Sequence, residues 1–439
     1  MVREPPGPSG LPAVGNTLSL AQEQGTYLEA VADRYGPVAS ISMVGIGDAT
    51  VVSDPDLVEE VLFSENYTKA SVGRDVLSEL LGDGLVLSEG DLWERQRQRI
   101  QPAFTNERIE RYAETMADRA AAFADRLEPG RTYDIGEELR KVTLRILFET
   151  IFGSDIDYEG LELGSTFEHI TAPGNPRNQP IAYAVPKWVP LPMWRRYLDA
   201  VETLESTVYD LIEKRREEGP GDDLISTLLA ADDGTMSDEQ LRDEVMTMLF
   251  AGHETTATAL TFTFHLLGTH PEVDDRLAAE LDDVLGGRAP TPADRADLDV
   301  TERVLQEVLR LYPPVPALGR EPTTETELGG YRLTPDTSML LSQWVIHHDD
   351  EYYDDPEAFR PERWQRRSVD DRHRFAYFPF GGGPRRCIGE SFAMAEATLL
   401  LASVASRYRL DPVDPSPLSP SVSIVTQTTR DVEMVPRRR

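Results

Sequence analysis

The chain has 439 residues, a formal charge of −33 at pH 7 and one cysteine, Cys387. One cysteine excludes an internal disulfide framework, a Cys-rich zinc site and a four-Cys iron–sulfur site. The acid excess argues against a nucleic acid or an anionic membrane as partner, since both require a basic footprint, and no run of about 18 apolar residues exists to span a bilayer.

The start, MVREPPGPSGLPAVGN, carries no apolar stretch of signal-peptide length, so the expected location is cytoplasmic, without a transmembrane anchor. Of the 44 basic residues only Lys69, Lys141, Lys187 and Lys214 are lysines. An acidic, lysine-poor chain that still folds suggests a halophilic surface, adapted to strong salt. A high-GC genome would produce the same bias through its codons.

Residues 1–15 are rich in Pro and Gly (Pro5, Pro6, Pro8, Pro12) and form an irregular opening segment. Alternating apolar positions at Val38, Ile41, Val44 and Val51 predict short strands within 37–52. Helical spacing predicts helices over 91–104, 106–127, 136–153, 198–217, 238–267, 271–286, 300–311 and 390–406. Short strands return between 314 and 346, with loops over 171–190 and 350–372. Residues 422–427 read as one more strand, followed by a polar arginine tail. No repeat and no linker interrupts this order. The expected architecture is one mainly helical domain over 1–439, with small sheets and a long central helix.

That helix starts at Ser237, whose spacing to Gln240 is that of a capping box, and Gly268 with Pro271 supplies a stop. Some 30 residues at 1.5 Å each give roughly 45 Å. Its apolar content (Val245, Met246, Leu249, Phe250, Leu260, Phe262, Phe264) sends it through the centre of the molecule. The middle reads Ala251-Gly252-His253-Glu254-Thr255-Thr256. An interior Gly is about 1 kcal/mol worse than Ala. A Thr diverts backbone bonding to its hydroxyl, and a buried carboxylate is unfavourable unless paired. Three such departures together mark either a site or a tolerated polar face. As a site, Glu254 and Thr255 are an acid–alcohol pair able to hold water and relay protons in a locally loosened helix.

Cys387 ends the run Phe380-Gly381-Gly382-Gly383-Pro384-Arg385-Arg386-Cys387-Ile388-Gly389, just before an apolar helix. Three glycines and a Pro permit a tight wrap around something. A helix N-terminus beside Arg385 and Arg386 favours a thiolate, suited to metal ligation or to nucleophilic catalysis with His373 or His253 as base.

This run resembles the haem-binding loop of the cytochrome P450 family, Phe-Gly-x-Gly-x-Arg-x-Cys-x-Gly. Four further segments resemble that family in its own order. Trp93-Glu94-Arg95-Gln96-Arg97 is similar to its Trp-x-x-x-Arg helix, and Ala251-Gly252-x-Glu254-Thr255-Thr256 to its oxygen-activating helix. Glu307-Val308-Leu309-Arg310 is similar to its Glu-x-x-Arg helix, and Phe359-Arg360-Pro361-Glu362-Arg363-Trp364 to its Pro-Glu-Arg segment. The resemblance covers nearly the whole chain.

It implies the family's mainly α fold around a buried haem b, with Cys387 as the thiolate ligand of the iron. Phe380, Gly381 and Gly389 would shape the loop around the cofactor. Trp93, Arg97, Arg320 and Arg385 would meet the haem propionates, with His347 in place of the family's usual His-Arg pair. Ala251 and Gly252 would lie over the haem, and Glu254 and Thr255 would deliver protons. Glu307, Arg310 and Arg363 would form a buried triad bracing the Cys loop, although Glu307 and Arg310 at i, i+3 also suit a surface bridge. The activity implied is a monooxygenase inserting one atom of O2 into a small apolar organic substrate. Electrons would come from a separate ferredoxin with its reductase, docked on Arg95, Arg99 and Arg386. A haem-thiolate peroxygenase or isomerase and a non-catalytic haem sensor are the alternatives, both typically without the acid–alcohol pair. Val72, Val76, Leu77, Leu85, Val86, Leu87, Leu249, Ala251, Val315, Ala317, Leu318, Ile424 and Val425 are the expected pocket contributors, apolar enough for a lipid-like or terpenoid molecule.

Overall fold

The computed structural model describes residues 3–439, except 45–46, 72–73, 156–162, 175–177, 179–181, 183, 232–235, 336, 366–371 and 423–424. Val72 and Ile424 of the expected pocket, and the side chain of Val76, lie outside the described residues.

A helix of 32 residues, Asp238–Thr269, runs through the largest apolar core. It begins where its N-cap Ser237 accepts the Gln240 N–H at 3.1 Å, as its spacing predicts. Most of its positions are buried on every side, which explains why it lacks a polar face. Gly268 is not its stop. The helix continues to Thr269, and a Cβ at position 268 would come within 2.6 Å of the Leu410 carbonyl oxygen. The residue permits close approach to the strand Tyr408–Pro412, and Pro271 then opens the next helix, Pro271–Leu285.

Around this axis pack Asn106–Arg126, Ile135–Ile151, Pro192–Glu218, Asp299–Leu311 and Glu390–Ala405, each close to the span its periodicity predicts. The segment 91–104 divides into an α-helix, Gly90–Ile100, and a 3-10 turn, Gln101–Phe104, at Pro102. Two helices near the start, Thr17–Glu23 and Gly25–Tyr35, have no counterpart in the periodicity reading.

Five strands form the main sheet: β1 (Val38–Met43), β2 (Gly47–Val52), β3 (Tyr67–Lys69), β4 (Ala317–Pro322) and β5 (Ser338–Ser342), in the order β1-β2-β5-β4-β3. Its β3–β4 edge sets Lys69 directly opposite Arg320. The C-terminus differs from expectation. Of the expected strand 422–427, residues 423–424 lie outside the described residues and Gln427 belongs to a two-residue strand, Gln427–Thr428, paired with Pro420–Ser421; the arginine tail is itself a strand, Glu433–Arg438, paired with Tyr408–Pro412. Its alternation is masked in the sequence because only Met434 and Pro436 are buried.

Candidate active site

Between its open first turn and its half-buried last two residues, the central helix is buried except over 250–252 and at Thr255. Ala251 is exposed and Thr255, one turn on, is partly open, so both face the same open space within an otherwise packed element. The Thr255 hydroxyl donates to the Ala251 carbonyl at 3.0 Å. The helix is unbroken α throughout, so the expected loosening is absent and the hydroxyl bonds back one turn instead. Gly252 packs against a neighbouring helix. A Cβ there would meet Leu147 Cδ1 at 2.8 Å, so the glycine lets the neighbouring helix Ile135–Ile151 approach. Glu254 is buried next to Thr255 in the chain. Its Oε1 accepts from Gln427 Nε2 at 3.4 Å, and its Oε2 lies 3.9 Å from His253 Nε2.

The Cys loop is built separately from that helix. Its closure is a backbone bond, with the Cys387 N–H donating to the Phe380 carbonyl at 2.9 Å. Gly381 and Gly383 take φ of +70° and +66°, which L side chains disfavour. Gly382 and Gly383 are also backed by protein: a Cβ would meet the Phe375 ring at 2.3 Å and the Leu62 carbonyl oxygen at 2.5 Å. The wrap predicted from the glycines is therefore held from behind, by the helix Pro55–Phe63 and by Phe375.

Cys387 is exposed, yet protein surrounds it closely enough that burial pushes its thiol up. The Gly389 N–H, Arg97 and Arg386 act the other way and favour the thiolate, while Glu390 opposes it. The thiol is thus accessible yet closely surrounded by protein. Coordination to a metal would deprotonate it outright. Gly389, the expected cofactor contact, is the N-cap of Glu390–Ala405.

Glu307, Arg310 and Arg363 do meet, and they are buried rather than on the surface. Arg310 binds Glu307 through two nitrogens, at 2.8 and 3.1 Å, and Arg363 Nε reaches Glu307 Oε1 at 2.8 Å. The Trp364 indole and the Arg360 N–H complete the shell at 2.8 and 3.0 Å. Arg310 also donates to the His347 carbonyl at 2.7 Å, and the His347 ring accepts the Phe378 N–H at 3.2 Å. Phe378 in turn accepts from the Gly381 N–H at 2.8 Å. A continuous hydrogen-bonded path thus runs from Glu307 into the Cys loop. His347 belongs to that path, buried behind the loop, and not to the cation cluster described next.

Arg385 lies over the Trp93 ring, 4.4 Å from its centroid, and pairs with Glu89. Its Nη1 is buried without a partner. Arg320, nearly buried, is pushed down to about 10 by burial and by Arg385. Lys69, opposite it on β3, is pushed down to about 7 by burial, then by Arg385. Like charges directly across a strand pair are destabilising. Glu89 is the carboxylate these three share, accepting also from the Lys69 N–H at 2.9 Å. The other nearby carboxyl, Glu244, is pushed up to about 8 by burial and offsets little near neutral pH. Arg97 joins the cluster to the Cys loop, donating to the Arg386 carbonyl at 3.1 Å. In a chain of net charge −33, three converging cations with one shared carboxylate, an orphaned Nη1 and Arg97 nearby on the Cys loop fit a dianionic guest.

The comparisons with known proteins agree with this geometry. The sequence model of the cytochrome P450 family matches residues 5–432. Cyclooctatin synthase of Streptomyces melanosporofaciens is 35% identical over 439 residues, covering 98% of this chain and 95% of that one. Cyclooctat-9-en-7-ol 5-monooxygenase of the same organism is 36% identical over 411 residues (92% and 89%). Pentalenene oxygenase of Streptomyces avermitilis is 33% identical over 408 residues (92% and 90%). Among solved structures, the haem domain of cytochrome P450DA has a TM-score of 0.86 at 26% identity, covering 100% of this chain and 98% of that one.

A cysteine held on a glycine-wrapped loop, with cations beside it, is what a haem-thiolate enzyme requires. The chain belongs to the cytochrome P450 family; it is a P450 monooxygenase whose cofactor is haem b.

Three functional candidates escaped the sequence reading: Lys69, Glu89 and Gln427. Lys69 meets Arg320 only through strand register, and Gln427 is 173 residues from Glu254. Arg386, expected to be free for docking, pairs with Glu390 one turn on. Arg95 is exposed. A surface hollow of about 480 Å³ lies against the outer face of the Cys loop, with Arg374, Arg386 and Phe63 on its walls. No helix among the described residues is long and apolar enough to cross a membrane.

Proposed function

We propose that the protein hydroxylates a cyclic terpenoid, with Cys387 as the iron ligand and Glu254 and Thr255 as the groups that bring protons to the oxygen site. When bound, haem b supplies the iron at which O2 is activated with two electrons. The residues do the rest. Arg97, Arg320 and Arg385, with Trp93 beneath Arg385, take the propionates and complete the cation cluster. Phe380 and Gly381 hold the loop that presents the sulfur, and Gly389 aims its N–H at it. Ala251, with its small side chain on the open face, leaves room for O2 and substrate. The Thr255 hydroxyl holds a proton beside that space, and Glu254 refills it.

The observation that carries this reading is Cys387, accessible yet enclosed by protein on its glycine-held loop. The terpenoid class rests on the names of the relatives: a monooxygenase of cyclooctat-9-en-7-ol and an oxygenase of pentalenene. Leu85, Leu249 and Leu318 offer the apolar lining such a molecule needs.

A cytoplasmic ferredoxin with its reductase is the proposed electron source, docked at the hollow beside Arg386, Arg374 and Arg95. In strong salt, where the screening length falls to about 3 Å, contact would matter more than steering. The acidic surface is read as halophilic. The chain is taken as one domain over 1–439.

Titrating the purified haem protein with pentalenene and related cyclic terpenes tests the substrate class. A low-to-high-spin shift of the Soret band is expected, and no shift with any cyclic terpene would overturn it. T255A should then consume O2 with product formation reduced by about a hundred-fold, the lower end of what general acid–base groups contribute. Unchanged product per O2 consumed would remove Thr255 from proton delivery.

A further inference from the structure

Glu254 lies between two neutral groups of opposite character. On one side Gln427 Nε2, which can only donate, reaches Oε1 at 3.4 Å from the short strand Gln427–Thr428. On the other, His253 Nε2 stands 3.9 Å from Oε2 and has no partner, although the ring is 99% buried.

The tautomer of His253 follows from its other nitrogen. Nδ1 is 2.9 Å from the Leu249 carbonyl oxygen, which can only accept, so Nδ1 carries the hydrogen. Burial, reinforced by Arg140, holds the ring below its usual range and hence neutral. Nε2 is then a bare lone pair. The ring is fixed in place by Phe167, whose centroid is 4.0 Å away, and by the Thr143 hydroxyl on the His253 carbonyl at 3.2 Å.

We infer that Gln427 and His253 are positioning residues for the two protonation states of Glu254. The ionised carboxylate is held by the Gln427 amide. The protonated carboxyl turns its O–H to His253 Nε2, a shift of about one ångström from the present 3.9 Å to reach hydrogen-bond distance. Proton balance is simple: one proton enters Glu254 from solvent and leaves toward Thr255, and neither partner gains or loses one. The amide cannot titrate and the imidazole stays neutral, so both direct the carboxyl without competing for its proton.

Gln427 also ties the acid to the substrate side. The preceding Thr426 anchors the hairpin, its N–H and hydroxyl donating to the Pro314 and Pro313 carbonyls at 2.8 and 2.7 Å, and Val425 before it is an expected pocket residue. The charged groups that act on His253 from its own helix and the adjacent one are Glu254 and Arg140. The inference deepens the proton-delivery reading of Glu254 and rests on it.

Infrared difference titration of the haem-loaded protein tests it without a substrate. The carbonyl stretch of protonated Glu254 is identified by its loss in E254Q. In Q427L the ionised form loses its donor, so the midpoint of that band should rise by about one pH unit, a ten-fold change in proton affinity. In H253F, which keeps an aromatic ring against Phe167, the protonated form loses its acceptor. Its midpoint should fall by a similar amount and the band should move to higher frequency. Midpoints that shift in the same direction, or that stay put in both variants, would overturn the inference. If the opposite shifts appear but E254Q turns over pentalenene with unchanged product per O2 consumed, the two-partner arrangement stands and the proton-delivery reading falls.

Discussion

Two buried charge clusters flank the Cys loop, and they are built on opposite principles. At Glu307 a single carboxylate receives Arg310, Arg363, the Trp364 indole and the Arg360 N–H, and each oxygen is occupied. The cluster is complete within the chain. At Glu89 the balance is reversed, with Lys69, Arg320 and Arg385 sharing one carboxylate and Arg385 Nη1 left over. Here the chain alone is strained by like charge. A satisfied network stiffens the loop that presents Cys387, whereas an unsatisfied one favours whatever anion completes it.

The largest effect is expected where the network is complete. Glu307→Gln leaves Arg310 and Arg363 buried without a counter-charge. Removing one partner of a buried pair costs about 3–5 kcal/mol, a large share of the roughly 5–15 kcal/mol that holds a domain folded. Loss of haem content and a fall of that size in urea stability are expected. Wild-type stability in E307Q would mean the cluster is not a brace.

Smaller, and opposite in sign between states, is the effect of Arg320→Met. Removing a buried, repelled cation should leave the haem-free protein as stable as wild type or more so, by about 1 kcal/mol. The same change should speed haem loss to apomyoglobin. Destabilisation of the haem-free form by more than that would show that Arg320 supports the fold on its own.

The contrast between the clusters also explains what could be read from the sequence. Glu307 and Arg310 share a helix turn, and their motif names the third member, so the triad was legible. Cys387 was legible because three glycines before a lone cysteine have few other uses. Gly252 and Gly268 were visible as exceptions, but their reasons, Leu147 and the Leu410 carbonyl, lie on other elements. The strand at Glu433–Arg438 was hidden by its arginines, and the apolar run 422–427 looked like a strand although Gln427 is its one residue described in one. Lys69 was the least legible: nothing near it in the chain is unusual, and only strand register sets it against Arg320.

Lys69 gives the finest probe of the difference between clusters. Its ammonium is pushed down to about 7 in the folded chain, against an ordinary value near 10.5. The unfolded chain therefore binds the proton more tightly between those values. Stability that depends on Lys69 is lowest below pH 7 and rises as pH climbs from about 7 toward 10.5. Comparing the haem-free protein with K69M, which cannot titrate there, should isolate a gain of about 1 kcal/mol between pH 7 and 8. Bound propionates would stabilise the charged ammonium and raise its folded value, so the same comparison in the haem-loaded protein should be nearly flat. A slope that survives haem binding would place Lys69 outside the anion-binding cluster, and its low value would then reflect burial and the neighbouring arginines without any anion to offset them.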